Sequence, residues 1–249
     1  MSKIYETGHA KNVANFETLI SFVIGYGAIY NPSNTLIGVG NMQGQLAKAK
    51  NAVNDFYELF ANLSNAVVAR EVAFRSIKKL STRLLNALKA TDTPIQVIDN
   101  VAAINRKLQG KRASGKLTDE RKAELLAHGK VVNQVSASQL SYDNILDNFY
   151  KLIQQLDSIP QYKPNEIELK VVTLTSQCAT LRQLNAAVVT HEVALGNVRL
   201  LRNEVMYNLE VGLIANAQQV KAYLKSVFGA TSEYYKQVSG IPFRMMRNL

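Results

Sequence analysis

The chain has 249 residues, a formal net charge of +10 and a single cysteine. One cysteine excludes an intramolecular disulfide framework, and 47% hydrophobic residues with 13 Gly, 5 Pro and no Trp favour a helical protein with a real core over a disordered chain or a sheet sandwich. No apolar run reaches ~18 uncharged residues without a turn signal, so no ordinary transmembrane helix is expected.

The opening MSKIYETGHAKNVANF has no continuous apolar stretch of the secretory type. A cytoplasmic location is the expectation, with only unconventional export beside it. A leading helix carries Asn15-Phe16-x-x-Leu19-Ile20, and from Thr18 to Ala47 there is no Lys, Arg, Asp or Glu. Asn31-Pro32-Ser33-Asn34 ends this helix and caps the next. A long helix follows through AVVAREVAF (66–74), with an apolar stripe at Ala66, Ala69, Ala73, Ile77, Leu80, Leu84 and Leu88. Thr91-Asp92-Thr93-Pro94 closes it and opens a third helix, with Pro94 in the first turn. The stretch RKLQGKRASGKLTDERK (106–122) is a basic, Gly/Ser-containing linker. Thr118-Asp119-Glu120 starts a helix running toward Leu156, and Pro160 and Pro164 bracket the next turn. A second long helix holds VVTL (171–174) and AVVTHEVAL (187–195), with a stripe at Ala187, Thr190, Ala194, Val198, Leu201, Val205 and Leu209. Asn216 is the expected cap of the helix after it.

These elements repeat. Asn15-Phe16-x-x-Leu19-Ile20 returns as Asn148-Phe149-x-x-Leu152-Ile153, Tyr30-x-Pro32 as Tyr162-x-Pro164, Gln45 as Gln177, and Gln96-Val97 as Gln219-Val220. The landmarks keep their order, as a tandem duplication requires. Their separation is about 132 residues before the long helix and 121 inside it, a difference that fits an insertion at NDFYELFANLS (54–64). Eleven residues are about three helical turns, so such an insertion keeps the apolar face in phase. The expected fold is all-α: an elongated antiparallel, coiled-coil-like helical bundle built from two tandem pseudo-symmetric three-helix units, residues 1–117 with the basic linker and residues 118–249, forming one continuous body.

Motifs for chemistry fail one by one. His191-Glu192 resembles the start of a zinc-protease signature, but the second histidine is replaced by Leu195, and the duplicate carries Arg70-Glu71. His9 and His128 have no ligand at metal spacing, and Cys178 aligns with Leu46, which marks a small buried apolar position. Gly38-Val39-Gly40 lacks the third glycine of a phosphate loop. No catalytic residue, cofactor or metal ligand is therefore assigned, and a non-enzymatic structural or interaction protein is expected.

Its candidate contacts are the uncharged hairpin tip, with Ile20, Phe22, Val23, Ile24, Tyr26, Ile29, Tyr30, Leu36 and Ile37, and the closing segment with Phe243, Met245, Met246 and Leu249. The second tip carries Asp157, Lys163, Glu166, Glu168 and Lys170, so the first is expected to meet something the second does not. Protein contact, within the chain or in a homo-oligomer, is the leading expectation. Insertion of the tip into a membrane, in the manner of helical pore-forming toxins, is an alternative, although each arm offers only about 18 Å of apolar helix. A second alternative is polyanion or nucleic-acid binding through Arg106, Lys107, Lys111, Arg112, Lys116, Arg121 and Lys122, in a linker with no aromatic residue to stack on bases. INRKLQGKR (104–112) and KSVFGATSEYYKQVSG (225–240) resemble segments of uncharacterised bacterial helical proteins, a resemblance that implies a helical fold and no assigned activity.

Overall fold

Apolar residues three and four apart set the helices. The computed structural model describes residues 8–111, 124, 126–128 and 140–246. Helix α1 (His9–Gly25) buries Val13, Phe16, Leu19, Ile20 and Val23 along one face. Two single 3-10 turns follow, Gly27–Ile29 and Thr35–Ile37. Gly27, at φ 58, supplies the left-handed backbone that turns the chain. The long α2 (Val39–Arg75) is separated from α3 (Ile77–Lys89) by Ser76 alone. Helix α4 (Ile95–Leu108) starts after Pro94, whose fixed φ suits a helix entry. Helix α5 (Tyr142–Asp157) precedes a 3-10 turn at Ile167–Leu169 and the long α6 (Val171–Tyr207). Helix α7 (Leu213–Phe228) ends at Gly229, φ 85, and α8 (Glu233–Ser239) is capped by the Ser232 hydroxyl. The described residues contain no strand, and the class is all-α.

Several expectations are corrected. The helix running to Leu156 begins at Tyr142, because Ser141 is extended (φ −64°, ψ 152°) and its hydroxyl accepts from the Asn144 amide. A start at Thr118 lies outside the described residues. Asn34 caps the short turn before α2, accepting from the Leu36 amide, and does not cap the long helix itself. Asn216 sits inside α7, not at its cap, which is Gly212. In α2 Ala69 is exposed, and Ala66 and Ala73 are only half-buried; burial becomes complete at Ile77, Leu80, Leu84 and Leu88. In α6 the stripe is displaced by one residue. Val188, Leu195, Arg202 and Met206 are buried, whereas Leu201 is 57% exposed; Leu209, 83% exposed, lies in the turn beyond the helix. One residue is about 100° of helix rotation, and hydropathy selects Leu201 over Arg202.

The chain forms two compact units. The first takes residues 1–64 and 191–249, and the second takes residues 65–190. This differs from a division at 117/118, because α2 and α6 each contribute residues to both units.

In the first unit the core joins Phe16, Leu19, Ile20, Val23, Met42 and Ala49 to Met206, Leu213, Ala217, Val220 and Leu224. In the second, Phe149, Leu152, Ile153, Leu156, Leu174 and Leu181 meet Ile77, Leu84, Leu88, Val101 and Leu108. Each unit locks its hairpin in the same way. The buried Tyr30 hydroxyl donates to the Ile37 carbonyl at 2.6 Å, and the buried Tyr162 hydroxyl donates to the Leu169 carbonyl at 2.9 Å. Burial pushes both phenols above their ordinary range, Tyr162 up to about 12.

Candidate interaction surface

The tip of the first unit mostly covers its own core. Ile20, Val23, Tyr26, Tyr30 and Ile37 are buried and Phe22 is half-buried. Tyr26 packs edge-on against Phe228 and Tyr234, and its hydroxyl donates to the Tyr234 carbonyl at 2.9 Å. Tyr30 packs at right angles on Tyr223, whose hydroxyl accepts from the Asn31 amide. Much of the tip's apolar character is thus spent inside the unit. What is left outside is Ile24, 50% exposed, Ile29, 56%, and Leu36, 40%. The second unit also leaves apolar residues out, Ile167 and Val172, but Glu166 and Glu168 flank or interrupt them.

The closing segment is strapped to α1 by its backbone. The buried Asn12 amide donates to the Arg244 carbonyl at 2.8 Å and accepts from the Arg244 amide at 3.1 Å. Asn15 donates to the Pro242 carbonyl at 2.6 Å, and Lys221 reaches the Ile241 carbonyl at 2.6 Å. Phe243 packs against the core under the Lys221 ammonium. Burial pulls the Lys221 ammonium below its ordinary value. Phe243 is therefore largely committed within the chain, Met245 is 51% exposed, Met246 is half-buried, and Leu249 lies outside the described residues.

Of the basic linker, Arg106, Lys107 and Lys111 are described, the first two in the last turn of α4. Arg112, Lys116, Arg121 and Lys122 lie outside the described residues. No helix among the described residues is long and apolar enough to cross a membrane.

Each unit also has a cleft beside its hairpin. In the first, an open cleft of about 420 Å3 is lined by Leu36, Gly40, Gly44, Gln45, Val211 and Asn216. Gln45 donates to the Val211 carbonyl and accepts from the Asn216 amide, which leaves Asn216 Oδ1 buried without a donor. In the second, a cleft of about 250 Å3 is lined by Thr173 and Gln177, and two Arg83–Glu168 hydrogen bonds of 3.0 and 3.1 Å hold its edge.

Sequence reasoning missed a further cluster in the first unit. Phe56 on α2 faces Arg199 and Arg202 on α6, and Tyr57 and Phe60 pack against Phe56. The readable signal was three aromatics within five residues, inside the stretch 54–64. No family model, curated protein or solved structure matches the chain.

Proposed function

We propose that the protein is a non-enzymatic interaction protein that self-associates through the tip of its first unit. One observation carries the reading: after the tip has covered its own core, Ile24, Ile29 and Leu36 still face outward, in a segment with no charged residue from Thr18 to Ala47. Each such side chain returns on the order of 1–2 kcal/mol when removed from water, and a self-complementary apolar patch suits a two-fold contact. Met245, in the segment strapped to α1, is a second exposed apolar contact on the same unit.

We also read the chain as a tandem duplication of a three-helix unit. Supporting this are the paired Tyr30–Ile37 and Tyr162–Leu169 hydrogen bonds, both spanning seven residues. The difference between the two tips supports reading the first as the specialised surface.

Light scattering of the purified chain tests the reading. A mass above the 27.6 kDa monomer that falls when Ile24 is changed to Asp supports it. A monomer at high micromolar concentration sinks it.

A further inference from the structure

Arg202 is a charged side chain placed where a core residue belongs. It is 6% exposed, and its guanidinium lies 4.7 Å from the centre of the Phe56 ring. Its Nε and Nη2 both donate to the Asn203 Oδ1, at 3.3 and 3.0 Å. Among the described residues Nη1 has no acceptor, and it is not sealed from water. Arg199, one turn earlier and exposed, is 5.8 Å from the same ring. Among the described residues, neither arginine has a carboxylate within ion-pair distance.

The second unit shows how such an arginine is compensated. Counted from the starts of the two 37-residue helices, Arg70 of α2 matches Arg202 of α6, although the phrase match of AVVAREVAF with AVVTHEVAL pairs Arg70 with His191. Arg70 too stacks on an aromatic ring, Tyr142 at 4.0 Å, and it donates to an asparagine, Asn185, at 3.1 Å. Asn185 passes the interaction on to a carboxylate, Asp143, at 2.7 Å. Asp143 is the second residue of α5, and the second residue of α1 is Ala10. By the same count Asn185 matches Val53, so the first unit has a counterpart of neither the asparagine nor the acid, and the described hydrogen bonds of Arg202 go to its chain neighbour Asn203.

A buried cation with no counter-charge is costly, and a second cation one turn away raises the cost. Burial pulls the Arg202 guanidinium below its ordinary value, and Arg199 acts in the same direction, while Tyr207 and Tyr57 oppose them. Nearby, His9 is lowered by burial and then by Arg202, and its Nδ1 is bonded to the Tyr207 hydroxyl at 2.7 Å. None of these neighbours supplies a negative charge at neutral pH. Beside the Phe56 ring that meets both arginines, Tyr57 is 56% and Phe60 50% exposed, with centroids 5.7 and 6.1 Å from that of Phe56.

We propose that Arg199 and Arg202, with the exposed rings of Tyr57 and Phe60, form a binding site for a small aromatic oxyanion. The anionic oxygens accept from Arg202 Nη1 and from the Arg199 guanidinium, and the planar body lies on the Tyr57 and Phe60 rings. Phosphate and carboxylate share this chemistry, because both match the fork of a guanidinium. Separate probes distinguish them. The site is independent of the hairpin tip, so its failure leaves the self-association reading standing.

The test is calorimetric titration of the full chain at low salt with phenyl phosphate, benzoate, inorganic phosphate and benzyl alcohol. At least one of the two ring-bearing anions should bind with a dissociation constant below about 1 mM, and more tightly than either inorganic phosphate or benzyl alcohol. Arg199→Gln and Arg202→Met should each weaken it about tenfold or more, and Tyr57→Ala about threefold. Arg199 and Tyr57 are exposed, so their variants decide the matter even if Arg202→Met fails to fold. Ring-bearing anions that bind no better than benzyl alcohol or inorganic phosphate would overturn the proposal. So would affinity unchanged by Arg199→Gln.

Discussion

Replacing Tyr162 with Phe removes one oxygen and leaves the packing of the ring in place. The lost hydroxyl is buried, and its only described hydrogen bond runs 2.9 Å to the Leu169 carbonyl across seven residues of hairpin. After the change, that carbonyl faces an apolar ring edge in a turn closed to water. A neutral hydrogen bond contributes about 1 kcal/mol net, and stranding a buried acceptor raises the cost to about 1–3 kcal/mol. Tyr30→Phe removes the matching bond of 2.6 Å to the Ile37 carbonyl. Its cost should fall in the same range, because the ring exposures are nearly equal, 8% for Tyr30 and 6% for Tyr162. Urea unfolding followed by helical circular dichroism, with each variant against the parent chain, measures both. A loss of less than about 0.5 kcal/mol in either variant would refute the idea that these bonds lock the two hairpins. Losses that differ by more than about 2 kcal/mol would contradict their equivalence.

Other expectations follow from single positions. A Cβ on Gly212 would run into the backbone oxygen and nitrogen of Asn208, so Gly212→Ala should destabilise the fold by about 1–3 kcal/mol in the same unfolding assay. Gly44→Ala meets nothing within 4 Å, and relief of glycine's entropy in a helix should stabilise by about 0.5–1 kcal/mol, or at worst be neutral. Cys178 is 4% exposed and burial pushes its thiol up, so a disulfide reagent should modify it only as fast as the chain opens, not at the rate of a free thiol. Tyr162 titrates at about 12 in the folded chain against an ordinary 10. The folded state therefore holds that proton more tightly than the unfolded one. Its contribution to stability is complete below pH 10 and is lost as pH rises from there to about 12. Phenolate absorbance should show this tyrosine ionising together with alkaline unfolding.

The helical class was legible because the apolar spacing of Phe16, Leu19, Ile20 and Val23 has one solution, and the Tyr-x-Pro landmarks marked both hairpins. The pairing of elements was not legible. The unit built from 1–64 and 191–249 depends on where two long helices are divided by their contacts, and periodicity along one helix carries no information about that. The face of α6 was read one residue out of place for a chemical reason. Leu201 looks like core and Arg202 does not, yet Arg202 is the buried one, its planar cation covered by Phe56. The tip residues divided between two tasks for a similar reason. An uncharged segment reads the same whether its side chains face inward, as Tyr26 and Ile37 do, or outward, as Ile24 and Ile29 do.

Sedimentation equilibrium of the unmodified chain over a wide concentration range, repeated on the Ile24→Asp, Ile29→Asp double variant, tests self-association through the tip most directly. The expected result is a mass that rises with concentration toward a multiple of 27.6 kDa in the parent, with the double variant held at the monomer mass and its helix content unchanged. A parent chain that stays monomeric throughout, or a double variant that associates as well as the parent, would contradict it.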